Sequence, residues 1–404
     1  MKRWKKLLLL LLVLVLLAQI PFAYRRYKLG RLQAAIQQLN SQRVVTEDNG
    51  GFTEYKGVLH VHSFLGGHSS GNFEEIIAAA QSNQLDFVVM TEHTSGNFNT
   101  SAMTLKAEHG GVLFVNGNEV RTASGDRLLL IPGDEQAGSD SQWSTPEVLS
   151  RRASGLALVA YPEEFKSWEA TGYNGIEVYN VYTNARRINP LVMFFDGLWS
   201  YRSYPDLLFA TFYRRPTENL NKWDELISQK GNRLVATAGN DAHANVGISL
   251  NDSTGKTLLG FRLDPYERSF RLVRLHVLAR PLNGPLLDSE SLLTAISDGH
   301  CFMGFDLFGD TTGFHFSAQD GDEKRIMGDE IKLEDAVRLS VILPVAGRIV
   351  LLKDGNVVQD DTGLNKRDYT VTDKGSYRVE VYLPRLPRPA GEQPWIISNP
   401  IFVR

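Results

Sequence analysis

From Tyr55 to about residue 300 the chain alternates short apolar runs with stretches of helical spacing. The runs are Gly57–Val61, Phe87–Met90, Val112–Val115, Leu128–Ile131, Leu156–Ala160, Ile176–Tyr179 and Leu234–Ala238. Nearly continuous apolar runs separated by helices predict a parallel sheet buried on both faces. Between the first two, Asn72-x-x-Glu75 reads as a capping box, and Phe73, Ile76, Ile77 and Ala80 form one helical face. Polar residues follow each run, so an α/β barrel is expected over residues 53–308, with its site at the carboxyl ends of the strands.

Residues 309–404 lack helical periodicity. Asp354-Gly355 between β-rich runs is a hairpin signal, and Tyr377, Val379 and Val381 alternate with Arg378, Glu380 and Tyr382. A small all-β sandwich with half-buried strands is expected here. The aromatic-rich stretch Met193–Tyr213 reads as the packing of an inserted helical segment; a lid over the cleft or a membrane contact are the other readings.

At the N-terminus, Lys2, Arg3, Lys5 and Lys6 precede an apolar stretch from Leu7 to Ile20 broken only by Gln19. Counted through Ala23 it is about 17 residues, near the lower limit for crossing a bilayer. Residues 1–24 are read as an uncleaved single-pass anchor with the body outside the cytoplasm; a cleaved signal peptide and an inward-facing body are the competing readings. Arg25, Arg26, Lys28 and Arg31 follow, so charge alone does not set the orientation. Leu29, Leu32, Ile36 and Leu39 then predict an amphipathic linker helix within residues 25–52, ended by Asp48-Asn49-Gly50-Gly51.

Composition narrows the chemistry. A hydrophobic content of 43% and a charged content of 22% are those of a globular protein. A net charge of −3 argues against nucleic-acid partners. The single cysteine, Cys301, excludes an intrachain disulfide or a thiolate metal site, and it reads as a small buried apolar residue.

Histidines and carboxylates gather instead where the predicted strands end. His60-Val61-His62, His68, His93, Glu119 and Asp241-Ala242-His243 all fall there, a donor mixture that suits zinc, manganese or iron. His60 and His62, two apart on a strand, share a side, as do Asp241 and His243. Together these segments resemble the ordered motifs of the PHP (polymerase and histidinol phosphatase) family: His60-x-His62, Gly67-His68-Ser69-Ser70, Thr91-Glu92-His93, Gly117-Asn118-Glu119 and Gly239-Asn240-Asp241-Ala242-His243. The resemblance covers residues 55 to 305. It implies a distorted (β/α)7 barrel, up to three metals, and hydrolysis of small phosphoesters.

By position, the resemblance gives His60, His62, Glu119 and Asp241 to one metal and His68, His93 and His243 to another, with Glu119 as a bridge to a central ion. Where the family has histidine before proline, this chain has Tyr161-Pro162, so two ions are as well supported as three. Tyr161 is read either as packing under the cleft with its hydroxyl bonded, or as a ligand or leaving-group donor. Glu163, Glu177 or Asn180 are further substitutes for the missing imidazole. Glu92 is expected to orient a histidine. Arg121, Asn180, Arg186 and Arg187 are candidates for holding the phosphate, and His276 is expected to be a strand residue.

The reaction expected from such a cluster is attack on phosphorus by a metal-bound hydroxide, with Glu119, Asp241 and Tyr161 at the catalytic centre. A carbamate or amide ester hydrolase of the same architecture is one alternative. A degenerate barrel acting as an envelope binding or scaffolding module is the other. The sequence leaves the oligomeric state open.

Overall fold

The computed structural model describes residues 3–44, 51–133, 142–152, 154–186, 188–229, 231–245, 247–251, 257–280 and 286–404. Arg187, Asp48–Gly50 and most of the loop Gly133–Trp143 lie outside the described residues.

All seven apolar runs form strands: Thr53–Val61, Phe87–Met90, Val112–Val115, Arg127–Ile131, Leu156–Ala160, Gly175–Asn180 and Val235–Gly239. They divide between two sheets, and no closed barrel forms among the described residues. Thr53–Val61, Phe87–Met90 and Val112–Val115 pair in parallel within a fourteen-stranded sheet. A six-stranded sheet runs in the order Glu92–His93, Asn118–Arg121, Arg127–Ile131, Leu156–Ala160, Gly175–Asn180, Val235–Gly239.

The expected all-parallel pairing fails at Arg127–Ile131, which is antiparallel to both neighbours. Only Thr122–Asp126 separates it from Asn118–Arg121, far too little for a parallel crossover, so Gly125, at φ +84°, turns a hairpin instead. The two sheets meet beneath the histidines. There the backbone of Asn240–Ala242 runs beside Leu59–His62, with Asn240 N donating to Leu59 O and His62 N donating to Ala242 O. Helix Phe73–Ser82 begins at the expected capping box, Asn72 Oδ1 accepting from Glu75 N at 2.8 Å, and buries Ile76 and Ala80.

The C-terminal region is strand-rich as expected but is not a separate layer. Pro394–Ser398 pairs with Cys301–Gly304, so its strands continue the larger sheet. The Asp354-Gly355 turn joins Val337–Lys353 to Asn356–Val371, both turn residues at positive φ. Gly375–Tyr382 departs from the expected half-burial, because its polar face is covered too. Arg378 donates to both carboxylate oxygens of Asp224 on helix Thr217–Gln229, at 2.7 Å each, and to Glu380 at 2.7 Å. Glu380 in turn takes Arg215. Burial thus falls on charge as well as on the apolar face.

The segments expected as anchor and linker form one helix. A single helix runs Arg3–Asn40, with Pro21 inside it and Leu29, Leu32 and Leu39 buried against the body. Its N-terminal apolar window is wholly unburied and is long and apolar enough to cross a membrane. Cys301 is buried as expected, and burial pushes its thiol pKa up.

His276 lies inside strand Arg274–Ala279, its Nδ1 2.7 Å from Glu54 Oε1 and its Nε2 2.9 Å from Thr311 Oγ1 and 3.4 Å from Asp306. Burial alone would depress its pKa, but Asp306 and Glu54 lift it to about 9. A pKa raised by folding adds stability that is complete below the unfolded value of ~6.5 and is lost as pH rises through the folded value. Denaturant titrations from pH 6.5 to 9.5 should therefore show stability falling, by on the order of 3 kcal/mol from this group. His276→Gln should flatten that slope; an unchanged slope in the variant would refute the assignment.

Candidate metal centre

Three of the residues at the strand ends adopt backbone conformations that only glycine takes readily: His60 at φ +67°, Tyr161 at +49° and Asp241 at +49°. Such strain persists where the surroundings over-determine it, and it collects at functional sites. At His60 the register between Thr53–Val61 and Phe87–Met90 slips by one residue, so a bulge rather than plain alternation aims both imidazoles inward. Gly239 makes room for them: a Cβ there would lie 1.6 Å from Glu177 Oε1 and 2.9 Å from His60 Cβ.

His60, His62, Glu119 and Asp241 are all buried and present four donor atoms to one point. His60 Nε2 lies 3.2 Å from Glu119 Oε2 and 3.5 Å from Asp241 Oδ1. His62 Nε2 lies 3.5 Å and 3.4 Å from the same two oxygens. A tetrahedral cation with ligand bonds of 2.0–2.1 Å sets its donors about 3.3 Å apart, so these spacings could accommodate a cation.

The remaining atoms of these residues are held from behind. His60 Nδ1 donates to Glu177 Oε1 at 2.7 Å. Arg127 donates to Glu119 Oε1 at 3.0 Å, leaving Oε2 for the centre. Tyr161 donates its hydroxyl proton to Asp241 Oδ2 at 2.5 Å, while Oδ1 is buried without a partner. Both ring nitrogens of His62 are likewise buried and unpartnered. Buried polar atoms left this way carry a penalty of ~1–3 kcal/mol each, which a bound cation removes. This buried group of histidines and acidic residues could hold a metal ion.

A second group, His62, His93 and His243, meets the first at His62. Both half-buried rings stack on His62, at centroid distances of 4.5 and 4.2 Å. His93 Nδ1 is also 3.5 Å from Glu119 Oε2, so that one oxygen faces three imidazoles.

Electrostatics agree with this picture. Burial opposes ionisation of Glu119, yet the hydrogen bond and charge of His60, with His62 and His93, pull its pKa down to about 2. Asp241, against the same burial, is held well below the usual carboxylate range by His60 and His62. Burial would lower His60, but Glu177 and Asp241 raise it well above an ordinary imidazole. Burial and His243 bring His62 down to about 3, a neutral ring with a free lone pair. The positive charge answering these carboxylates is the His60 imidazolium, with Arg127 on Glu119, and a cation bound there would displace the Nε2 proton of His60.

Other expected residues sit differently. His68 is exposed, edge-on to His93 at 5.0 Å, and outside both groups. Among the described residues Glu92 makes no hydrogen bond to a histidine; it accepts from Ser63 N, Ser63 Oγ and Thr104 Oγ1, fixing the turn after His62. Tyr161 fits the first of its two readings, and burial with Asp241 pushes its pKa far up, so the hydroxyl keeps its proton.

Asn180 is consumed by structure, donating to Glu177 and accepting from Thr183 N as a helix cap. Glu177 holds His60 rather than joining the cage. Arg121 is exposed, and Arg186 is exposed and paired with Glu164 at 3.0 Å. The cation the sequence reading missed is Arg127, bonded to Glu119 and 4.7 Å above the Tyr161 ring. The Ser124-Gly125 turn was its signal, since it sets Arg127 opposite Arg121 and back toward Glu119.

No protein-family model matches the chain, and no curated protein does. Among solved structures, PsfC from Pseudomonas syringae PB-5123 is similar at 14% identity, over 61% of this chain and 90% of its own, with a TM-score of 0.33.

Proposed function

We propose that this chain is a membrane-anchored, metal-dependent phosphoester hydrolase resembling the PHP family. Its two sheets would then be the family's distorted (β/α)7 barrel, parted at the seam beside Asn240–Ala242. The observation that carries the reading is the cage of His60, His62, Glu119 and Asp241, with donor spacings of 3.2–3.5 Å drawn from three distant segments.

His60, His62, Glu119 and Asp241 would hold one divalent ion, and His93 and His243, with His62 or Glu119 shared, a second; zinc, manganese and iron all suit these donors. Bound there, such ions supply Lewis acidity, lowering the pKa of water toward neutrality and offsetting charge on a phosphoryl oxygen. The chain's own residues set the rest. Glu177 accepts the Nδ1 proton of His60 and so leaves Nε2 free to ligate. Tyr161 and Arg127 each occupy one oxygen of a carboxylate, turning the other inward. Arg127 is half-buried beside Glu119 and has donors left for an equatorial phosphoryl oxygen.

The apolar helix supports a single-pass anchor, and the reading places the body on the extracytoplasmic side, although four cations on each flank leave the charge rule neutral. The test is a substrate panel on the purified full chain loaded with manganese or zinc. Phosphate esters should turn over, and chelation should stop them. Turnover confined to carboxyl or carbamate esters would instead assign ester or carbamate hydrolysis. Metal-loaded protein inert to every class would make it a binding module.

A further inference from the structure

Helix Pro190–Ser200 is amphipathic in the reverse sense for a water-facing helix. Its polar residues Asp196 and Ser200 are buried, while Leu191, Phe194 and Leu198 are 66%, 62% and 71% exposed. These three recur at i, i+3 and i+7 and so share one face. An apolar patch turned outward, with acidic and hydroxyl groups turned inward, marks contact with something other than water.

What covers that face is indicated by where the helix is fastened. It docks on the N-terminal helix, not over the metal centre. Phe195 packs on Phe22 at 4.9 Å, Trp199 Nε1 donates to Gln19, and Asp196 receives Arg25 in a bidentate pair. A bilayer's hydrocarbon core, ~30 Å thick, takes ~20 helical residues. Counted from Leu7, that core ends near Arg26, so Gln19, Phe22 and Arg25 lie in its last turns and at its edge.

The polar side of this level is cationic. Just beyond Arg25, a cavity of about 240 Å³ is lined by Lys28, Arg214 and Arg388, with Asp196 and Glu392 the acidic partners of Arg25 and Arg388. Apolar side chains at acyl depth beside cations at headgroup depth are how an interfacial helix meets a lipid surface.

We infer that helix Pro190–Ser200 lies in the membrane interface, its Leu191–Phe194–Leu198 face inserted among the acyl chains beside the anchor and the nearby cations at the lipid phosphates. It fixes the body's height and tilt above the bilayer. The occupant is the lipid surface, not a second copy of the chain.

Leu198→Cys in the full chain, labelled with an environment-sensitive nitrobenzoxadiazole, tests this, because the native Cys301 is buried and resists labelling. Val357→Cys, on the exposed hairpin of the C-terminal region, is the reference. In nanodiscs of phosphatidylcholine and phosphatidylglycerol holding one chain each, the label at 198 should emit to the blue. Lipid spin-labelled near the acyl carbonyl should quench it at least ~3-fold more than the label at 357. Water-like emission without quenching overturns the inference. Blue emission that such lipids do not quench overturns it as well, because protein would then cover the face. Phe194→Cys should repeat the Leu198 result.

Discussion

For the phosphoester hydrolysis proposed above, Asp241→Ala is expected to lower turnover by about a thousandfold or more while circular dichroism of the full chain stays unchanged. The side chain supplies one corner of the cage and is aligned by Tyr161, whose hydroxyl would be left without its acceptor. Metal ions contribute several kcal/mol of transition-state charge stabilisation, and each ~1.4 kcal/mol is tenfold in rate. The fold survives because Asp241 lies past the end of strand Val235–Gly239, above the packed core. His60→Ala should behave alike, since it empties a second corner and strips Glu177 of its partner. Turnover close to wild type in both variants would remove the cage from the mechanism.

The largest stability effect is expected at Arg378→Ala. Arg378 is 1% exposed and answers Asp224 and Glu380, so truncation strands buried carboxylates and should cost ~3–5 kcal/mol in a denaturant titration. Asp224→Leu with Arg378→Met removes the pair together, leaves Arg215 to neutralise Glu380, and should recover most of that loss. A single variant within 1 kcal/mol of wild type would show that this network does not join the C-terminal strands to the body.

The parts of this molecule that could be read from sequence were those where local pattern and tertiary environment agree. The seven apolar runs became strands because nearly all of their residues are buried, Leu113 being partly exposed. The candidate ligands His60, His62, Glu119 and Asp241 converge as expected: His60 and Glu119 lie within strands Thr53–Val61 and Asn118–Arg121, and His62 and Asp241 just past strand ends, all at the same seam.

What was misread depended on partners far away in sequence. Arg378 and Glu380 look like a solvated strand face until helix Thr217–Gln229 brings Asp224 over them. Asn118–Arg121 is too polar to stand out as a strand, so the hairpin that delivers Arg127 is marked in the sequence only by its Ser124-Gly125 turn. Glu92 was expected beside an imidazole, but Ser63 and Thr104, at 2.6 and 2.8 Å, capture it. The outward apolar face of Pro190–Ser200 could be suspected from its aromatic content, but which side is turned to the N-terminal helix depends on Asp196 meeting Arg25.

Elemental analysis of the purified full chain, paired with anomalous diffraction at the absorption edge of whichever metal is found, bears on the cage most directly. The account predicts at least one equivalent of zinc, manganese or iron, with an anomalous peak among His60, His62, Glu119 and Asp241 that is lost in Asp241→Ala. Protein that stays below one equivalent after incubation with these metals, or a peak elsewhere in the molecule, would contradict it.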